Sequence, residues 1–186
     1  MARTAVYEQK VEGFGTITVV PVEPAEDIDL IHSWVSQERA RFWGMLEAGR
    51  DGVLEIYEFL DSLSTHHAFL IHRDGSPVGL FQSYEPEHDP ISEYYEVQPG
   101  DVGLHLLIGP PTTPAEPGFT HAILSTFVAY LFEDPAAQRI VAEPDARNTK
   151  AITRLQNAGF TLGPEITLPE KPARLTFLPR EAFTGN

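Results

Sequence analysis

Apolar and polar positions change their period several times along the chain, and each change marks an element. Residues 5–22 alternate as two strands broken at Gly13-Phe14-Gly15, with Thr16-Ile17-Thr18-Val19-Val20 the more β-branched half. Beyond Pro21 and Pro24, the residues Ile28, Ile31, Trp34 and Val35 recur at helical spacing, which predicts a helix over 25–39. The compact aromatic run Arg41-Phe42-Trp43-Gly44-Met45 precedes a second helix over 52–63, with Leu54, Ile56, Phe59 and Leu60 apolar. From residue 65 the period shortens. Strands are expected over 67–71 and 78–84, joined at Asp74-Gly75, a strong hairpin signal. Residues 85–100 read as a long, exposed, acidic loop with room for a short strand. A strand over 102–108, a helix over 119–132, a strand over 139–142 and a helix over 148–158 follow, the last stopped by Gly159. Strands over 160–166 and 173–178 close the chain. This order predicts one α/β domain over 1–186, a mixed central sheet flanked by helices. A parallel strand pair is expected in the strand-helix-strand unit of the second half.

Composition narrows the partners more than the fold. At 186 residues and 42% hydrophobic content the chain can bury a sizeable core. Its formal net charge of −14 disfavours nucleic acid and anionic membrane surfaces, whose phosphates it would repel. An acidic surface suits a cationic small molecule, and it serves solubility equally well. The chain has no cysteine, which removes disulfides, thiolate nucleophiles and sulfur-ligated metals and fits a reducing compartment. No apolar signal core opens the sequence and no run is long enough to span a bilayer, so the expected location is the cytoplasm.

Three segments carry candidate chemistry. Gly103-Leu104-His105-Leu106-Leu107-Ile108-Gly109 sets a histidine inside an apolar strand, where an unpaired imidazole would cost a few kcal/mol. Glu143-Pro144-Asp145-Ala146-Arg147-Asn148-Thr149 sets an aspartate in a tight turn before a helix. Between them, Pro117-Gly118 stands where the 119–132 helix begins, and a helix N-terminus with an adjacent glycine can receive a pyrophosphate. Each segment also has an ordinary structural reading: a core histidine bonded to backbone, a capping aspartate, a proline-rich turn. Together they outline an acyl-transfer site.

Other chemistries lack support. His66 and His67 are adjacent, so on a strand they point to opposite faces and do not share a metal ion. His72, His88 and His121 form no helical His-x-x-x-His pair, and no metal is expected. No Gly-x-Ser-x-Gly elbow serves a serine hydrolase.

The order of elements resembles the GNAT superfamily of acyl-CoA N-acyltransferases, as do Gly100-Asp101-Val102-Gly103-Leu104-His105-Leu106-Leu107-Ile108-Gly109, Phe132-Glu133-Asp134-Pro135, Arg139-Ile140-Val141, the 143–149 turn and Ala158-Gly159-Phe160. With Trp34 and the Phe42-Trp43-Gly44-Met45 run, these segments are similar to the branch that acylates N-hydroxylated amines in hydroxamate siderophore assembly, the aerobactin, mycobactin and desferrioxamine type. The resemblance spans about residues 27–180. It implies His105 and Asp145 as the catalytic pair, either of them the base. Acyl-CoA, acetyl or succinyl, is the implied co-substrate, lying on Leu107, Ile108, Pro117, Gly118, Phe119, Thr120 and Asn148. Trp34, Phe42 and Trp43 are implied as an apolar wall for an N-hydroxylated diamine or N6-hydroxylysine; core packing is their alternative. The implied reaction is direct attack on the thioester in a ternary complex, since no residue is a convincing covalent nucleophile. Acceptance of an ordinary amine, or a non-catalytic acyl-CoA-binding module, are the competing readings. The monomer and the homodimer stay equally open. Two departures stand out: Pro117-Gly118-Phe119-Thr120 replaces the family's basic, glycine-rich pyrophosphate loop, and Leu155 occupies the place of its tyrosine acid.

Overall fold

A computed structural model describes residues 3–185. The first strands are β1 (Tyr7–Val11) and β2 (Gly15–Pro21), then helices α1 (Pro24–Val35) and α2 (Gly49–Ser62). Strands β3 (His66–Arg73), β4 (Ser76–Tyr84) and β5 (Asp101–Ile108) lead to helix α3 (Phe119–Leu131). Strand β6 (Arg139–Ala142), helix α4 (Thr149–Asn157), β7 (Thr161–Thr167) and β8 (Pro172–Pro179) complete the order. The strands hydrogen-bond in the sequence β1-β2-β3-β4-β5-β6-β8-β7. The expected mixed α/β sheet is present, and β5–β6 is the anticipated parallel pair. By contacts the chain divides into two compact units, residues 1–82 with 106–116, and residues 83–105 with 117–186.

In the first unit α1 begins at Pro24, whose missing N–H costs nothing there, and Asp27 accepts the N–H of Glu23. Its stripe of Ile28, Ile31, Trp34 and Val35 packs with Val53 and Tyr57 of α2 against Leu70 of β3 and Leu80 of β4. The helix stops at Val35 rather than near residue 39. Gln37 turns extended (φ −86°, ψ 143°) and its side-chain amide donates to the carbonyl of Ser33. Residues Glu38–Trp43, which take in the first half of the compact aromatic run, then form a 3-10 helix. Asp74 and Gly75 both take positive φ in the tight β3–β4 turn, as the hairpin signal requires.

In the second unit the 85–100 segment holds no strand. It makes two short 3-10 turns, Pro86–His88 and Pro90–Glu93, with the Asp89 carboxylate accepting the N–H of Ile91. Pro86 and Ile91 are buried beneath exposed Glu85, Glu87, Glu93 and Glu96, so the acidic loop is a packed one. Helix α3 is apolar through Ile123, Leu124, Phe127 and Val128, all buried. Helix α4 is capped by Asn148, whose side-chain oxygen accepts the N–H of Ala151.

One ion pair ties the parallel strands. Asp101 and Arg139 are register partners at the first rung of β5 and β6, and both guanidinium bonds to the Asp101 carboxylate measure 2.7 Å. The carboxylate also accepts the Tyr95 hydroxyl and the N–H of Gln98, and the guanidinium lies over the Phe177 ring at 4.5 Å. Removing one partner leaves a buried charge uncompensated. Asp101→Ala is therefore expected to lower the unfolding free energy by about 3 kcal/mol in urea denaturation, and a loss under about 1 kcal/mol would show the pair to be dispensable.

Candidate active site

The register of β5 against β6 assembles the site. Val102 faces Ile140 and Gly103 faces Val141; two residues further on, His105 comes abreast of Glu143, just beyond the end of β6. Gly103, His105, Val141 and Glu143 thus share one face of the sheet by alternation. His105 Nε2 is hydrogen-bonded to Glu143 Oε1, and the Tyr84 hydroxyl donates to Glu143 Oε2 at 2.7 Å. The Tyr84 ring lies 4.9 Å from the His105 ring, centroid to centroid.

The exposures differ in a useful way. The His105 side chain is 33% exposed, that of Glu143 6%. Burial pushes the Glu143 carboxyl up, but His105, the charge of Lys171 and the Tyr84 hydroxyl outweigh it, and the net position is below the usual carboxylate range. Burial and the Glu143 charge push the Tyr84 hydroxyl well above its ordinary value, which keeps it a donor. An ionised Glu143 fixes a proton on Nε2 of His105, so Nδ1 is the atom of that ring able to accept another. A half-exposed imidazole backed by a buried carboxylate is an arrangement for general-base chemistry at neutral pH.

Comparison with known proteins agrees with that chemistry. The family model for the acetyltransferase (GNAT) domain matches residues 23–168. The chain belongs to the GNAT acetyltransferase family. Among curated relatives, the N(6)-hydroxylysine O-acetyltransferase of Escherichia coli is 29% identical over 167 residues, 87% of this chain and 51% of that protein. The chain thus spans about half the length of that relative. The N-hydroxyputrescine acetyltransferase of Acinetobacter baumannii is 26% identical over 160 residues, 85% of this chain and 75% of that protein. Among solved structures, AAC(6')-Ib in complex with paromomycin and acetyl-CoA superposes with a TM-score of 0.79 at 24% identity, over 89% of this chain and 94% of that one.

Within this GNAT chain the turn aspartate is placed differently from the sequence expectation. The carboxylate that meets His105 is Glu143. Asp145 is buried, and its carboxylate accepts the backbone N–H, Nε and one terminal nitrogen of Arg147 at 2.7–2.9 Å. The side-chain bonds from Arg147 hold it below its ordinary range. The cause is the register: Glu143 is the residue abreast of His105, and beyond it the backbone keeps the antiparallel pairing with β8 that it makes throughout β6. Arg174 donates to the carbonyl of Pro144 and Ala146 to that of Pro172. Glu143 and Tyr84 were missed by sequence reasoning. Counting a parallel register from Asp101 and Arg139 would have found Glu143; Tyr84 had no such signal.

The other expected site residues are distributed as follows. Pro117 and Gly118 are exposed at the start of α3, Gly118 at φ 79° with open space where a Cβ would stand, and Phe119 and Thr120 form the first helical turn. Asn148 is occupied as the α4 cap. Leu107 packs on the core of the first unit, and the carbonyl of Ile108 accepts Arg39 Nη1 at 2.9 Å. Trp34 is a core side chain, 6% exposed, against Gly109; Phe42 and Trp43 are half-buried and retain some surface. Leu155 is buried, 1% exposed. Among the described residues no group of three histidine, aspartate or glutamate side chains is placed to hold a metal ion, and no helix is long and apolar enough to cross a membrane.

The Glu143 carboxyl makes stability depend on pH with a definite sign. Its folded value is depressed, so its contribution is complete above the unfolded value of about 4.3 and is lost as pH falls through the folded one. Thermal melts of the wild type and Glu143→Gln should therefore differ most above about pH 5 and converge in acid. A difference that grows on acidification would contradict the assignment.

Proposed function

We propose that this chain is an acyl-CoA-dependent N-acyltransferase that acylates the hydroxylamine nitrogen of an N-hydroxylated diamine or N6-hydroxylysine, giving a hydroxamate for siderophore assembly. The His105–Glu143 pair carries the reading. A hydroxylamine nitrogen is far less basic than an alkylamine and is neutral at pH 7, so one modest base suffices for the proton it releases on attack. His105 takes that proton as the C–N bond forms and the C–S bond breaks, with Glu143 stabilising the imidazolium. With Leu155 in place of a tyrosine acid, the imidazolium is the group left to return the proton to the departing thiolate. Asp145, bound by Arg147, shapes the turn that delivers Glu143 and caps the reaction's scaffold rather than its chemistry.

The names of the two curated relatives support the acceptor, both being acetyltransferases of N-hydroxylated amines. Acetyl- or succinyl-CoA is the co-substrate, its pyrophosphate at the N-terminus of α3. An ordinary amine is the second reading, favoured by the net charge of −14, which suits a polycation equally well.

Thiol release from a panel of acyl-CoA donors tests the proposal. N-hydroxycadaverine or N6-hydroxylysine should exceed its unhydroxylated parent by at least about tenfold in kcat/KM, roughly 1.4 kcal/mol; equal rates would favour the ordinary amine, and no turnover the binding module. His105→Ala and Glu143→Gln should each reduce turnover by about 10²–10⁴-fold, with the double variant losing less than the product. Asp145→Asn should lower Tm more than kcat, and the reverse would return Asp145 to the catalytic pair. Calorimetry should find CoA binding weakened by about tenfold or more in Gly118→Val, which strains a positive-φ position and covers the backbone approach; unchanged affinity would move the pyrophosphate elsewhere.

A further inference from the structure

We propose that Tyr84 is a positioning residue of this site, holding the Glu143 carboxylate aimed at His105 without itself touching substrate; the inference rests on the acyltransferase reading above. The two oxygens of Glu143 do different work. Oε1 meets His105 and Oε2 receives the Tyr84 hydroxyl, so both oxygens are held and the plane of the carboxylate is set. A carboxylate held at one oxygen only could rotate off the ring nitrogen.

The seat of the tyrosine ring is built by Gly103. A Cβ on Gly103 would fall 2.2 Å from Tyr84 Cζ, so any side chain there would expel the ring. Glycine inside a strand weakens it and commonly marks a close approach, which here is the phenol crossing β5. The same ring rests against the imidazole at 4.9 Å and 39°, which limits rotation of His105. Tyr84 is 3% exposed and packs with Ile91, Leu168 and Ala173. It is sealed from solvent and therefore from a departing thiolate, which separates its role from that of an acid. The charged and titratable groups facing this cluster are His105 from β5, Lys171 from the β7–β8 turn, and Asp89 and Tyr95 from the 85–100 segment.

Tyr84→Phe keeps the ring and removes the hydroxyl, so the fold is preserved while the hold on Oε2 is lost. Two readouts apply: carbon-13 NMR titration of the Glu143 carboxyl, which needs no substrate, and the pH profile of kcat with whichever acceptor is turned over. In the variant the carboxyl should release its proton about one pH unit higher, roughly a tenfold change in proton affinity. The acid limb of kcat should move upward with it, kcat should fall about tenfold, and KM should change little. Gly103→Ala, which displaces the ring by a different route, should show the same pattern. An unmoved carboxyl titration overturns the proposal, as does a moved titration with kcat unchanged. If the wild type transfers no acyl group to any acceptor, the functional reading fails, and the NMR titration alone decides whether Tyr84 holds Glu143.

Discussion

The parallel register of β5 and β6 is the constraint on which the site depends. Parallel strands alternate faces with a period of two, so a slip of one residue would send His105 and Glu143 to opposite sides of the sheet. The register is anchored four residues upstream, where Asp101 and Arg139 face each other and share two short bonds. That pair is tied to its surroundings by Tyr95 and by Phe177 of β8. A buried ion pair is a poor source of net stability, because desolvation offsets most of the attraction. Its value here is specificity: only one pairing satisfies both charges, and that pairing sets the imidazole beside the carboxylate.

Charge placement follows the same logic of competing terms. Glu143 loses hydration on burial, which alone would favour its neutral form. The His105 ring, the Tyr84 hydroxyl and the nearby Lys171 charge reverse that preference. The carboxylate therefore stays ionised in a dry setting, where its influence on the imidazole is larger than it would be in water. His105, being half-exposed, is the member of the group that a substrate can reach.

The second carboxylate of the turn shows why neighbouring acids take different roles. Glu143 and Asp145 are two residues apart and both buried. Through both of them the backbone keeps its antiparallel register with β8, in which Asp145 bridges to Ala173, while Glu143 alone stands abreast of His105. Arg147 then closes on Asp145 from the same turn. Family membership places an acyl-transfer fold around these residues, and local pairing decides which acid meets the histidine.

The sequence alone determined the element order, the mixed sheet with its parallel pair, and the prominence of His105, because hydrophobic period, turn residues and an imidazole in an apolar strand are local signals. It also determined that Leu155 cannot act as an acid. It misplaced the end of α1, since the Gln37 amide closing on Ser33 is a competing bond that periodicity does not register. It put the carboxylate partner at Asp145, which has the more conspicuous turn, whereas the β5–β6 register selected Glu143. Tyr84 became legible only in three dimensions: its ring crosses Gly103, nineteen residues along the chain, and its hydroxyl reaches Glu143, fifty-nine residues away. Contacts at such separations are decided by packing, and no local pattern encodes them.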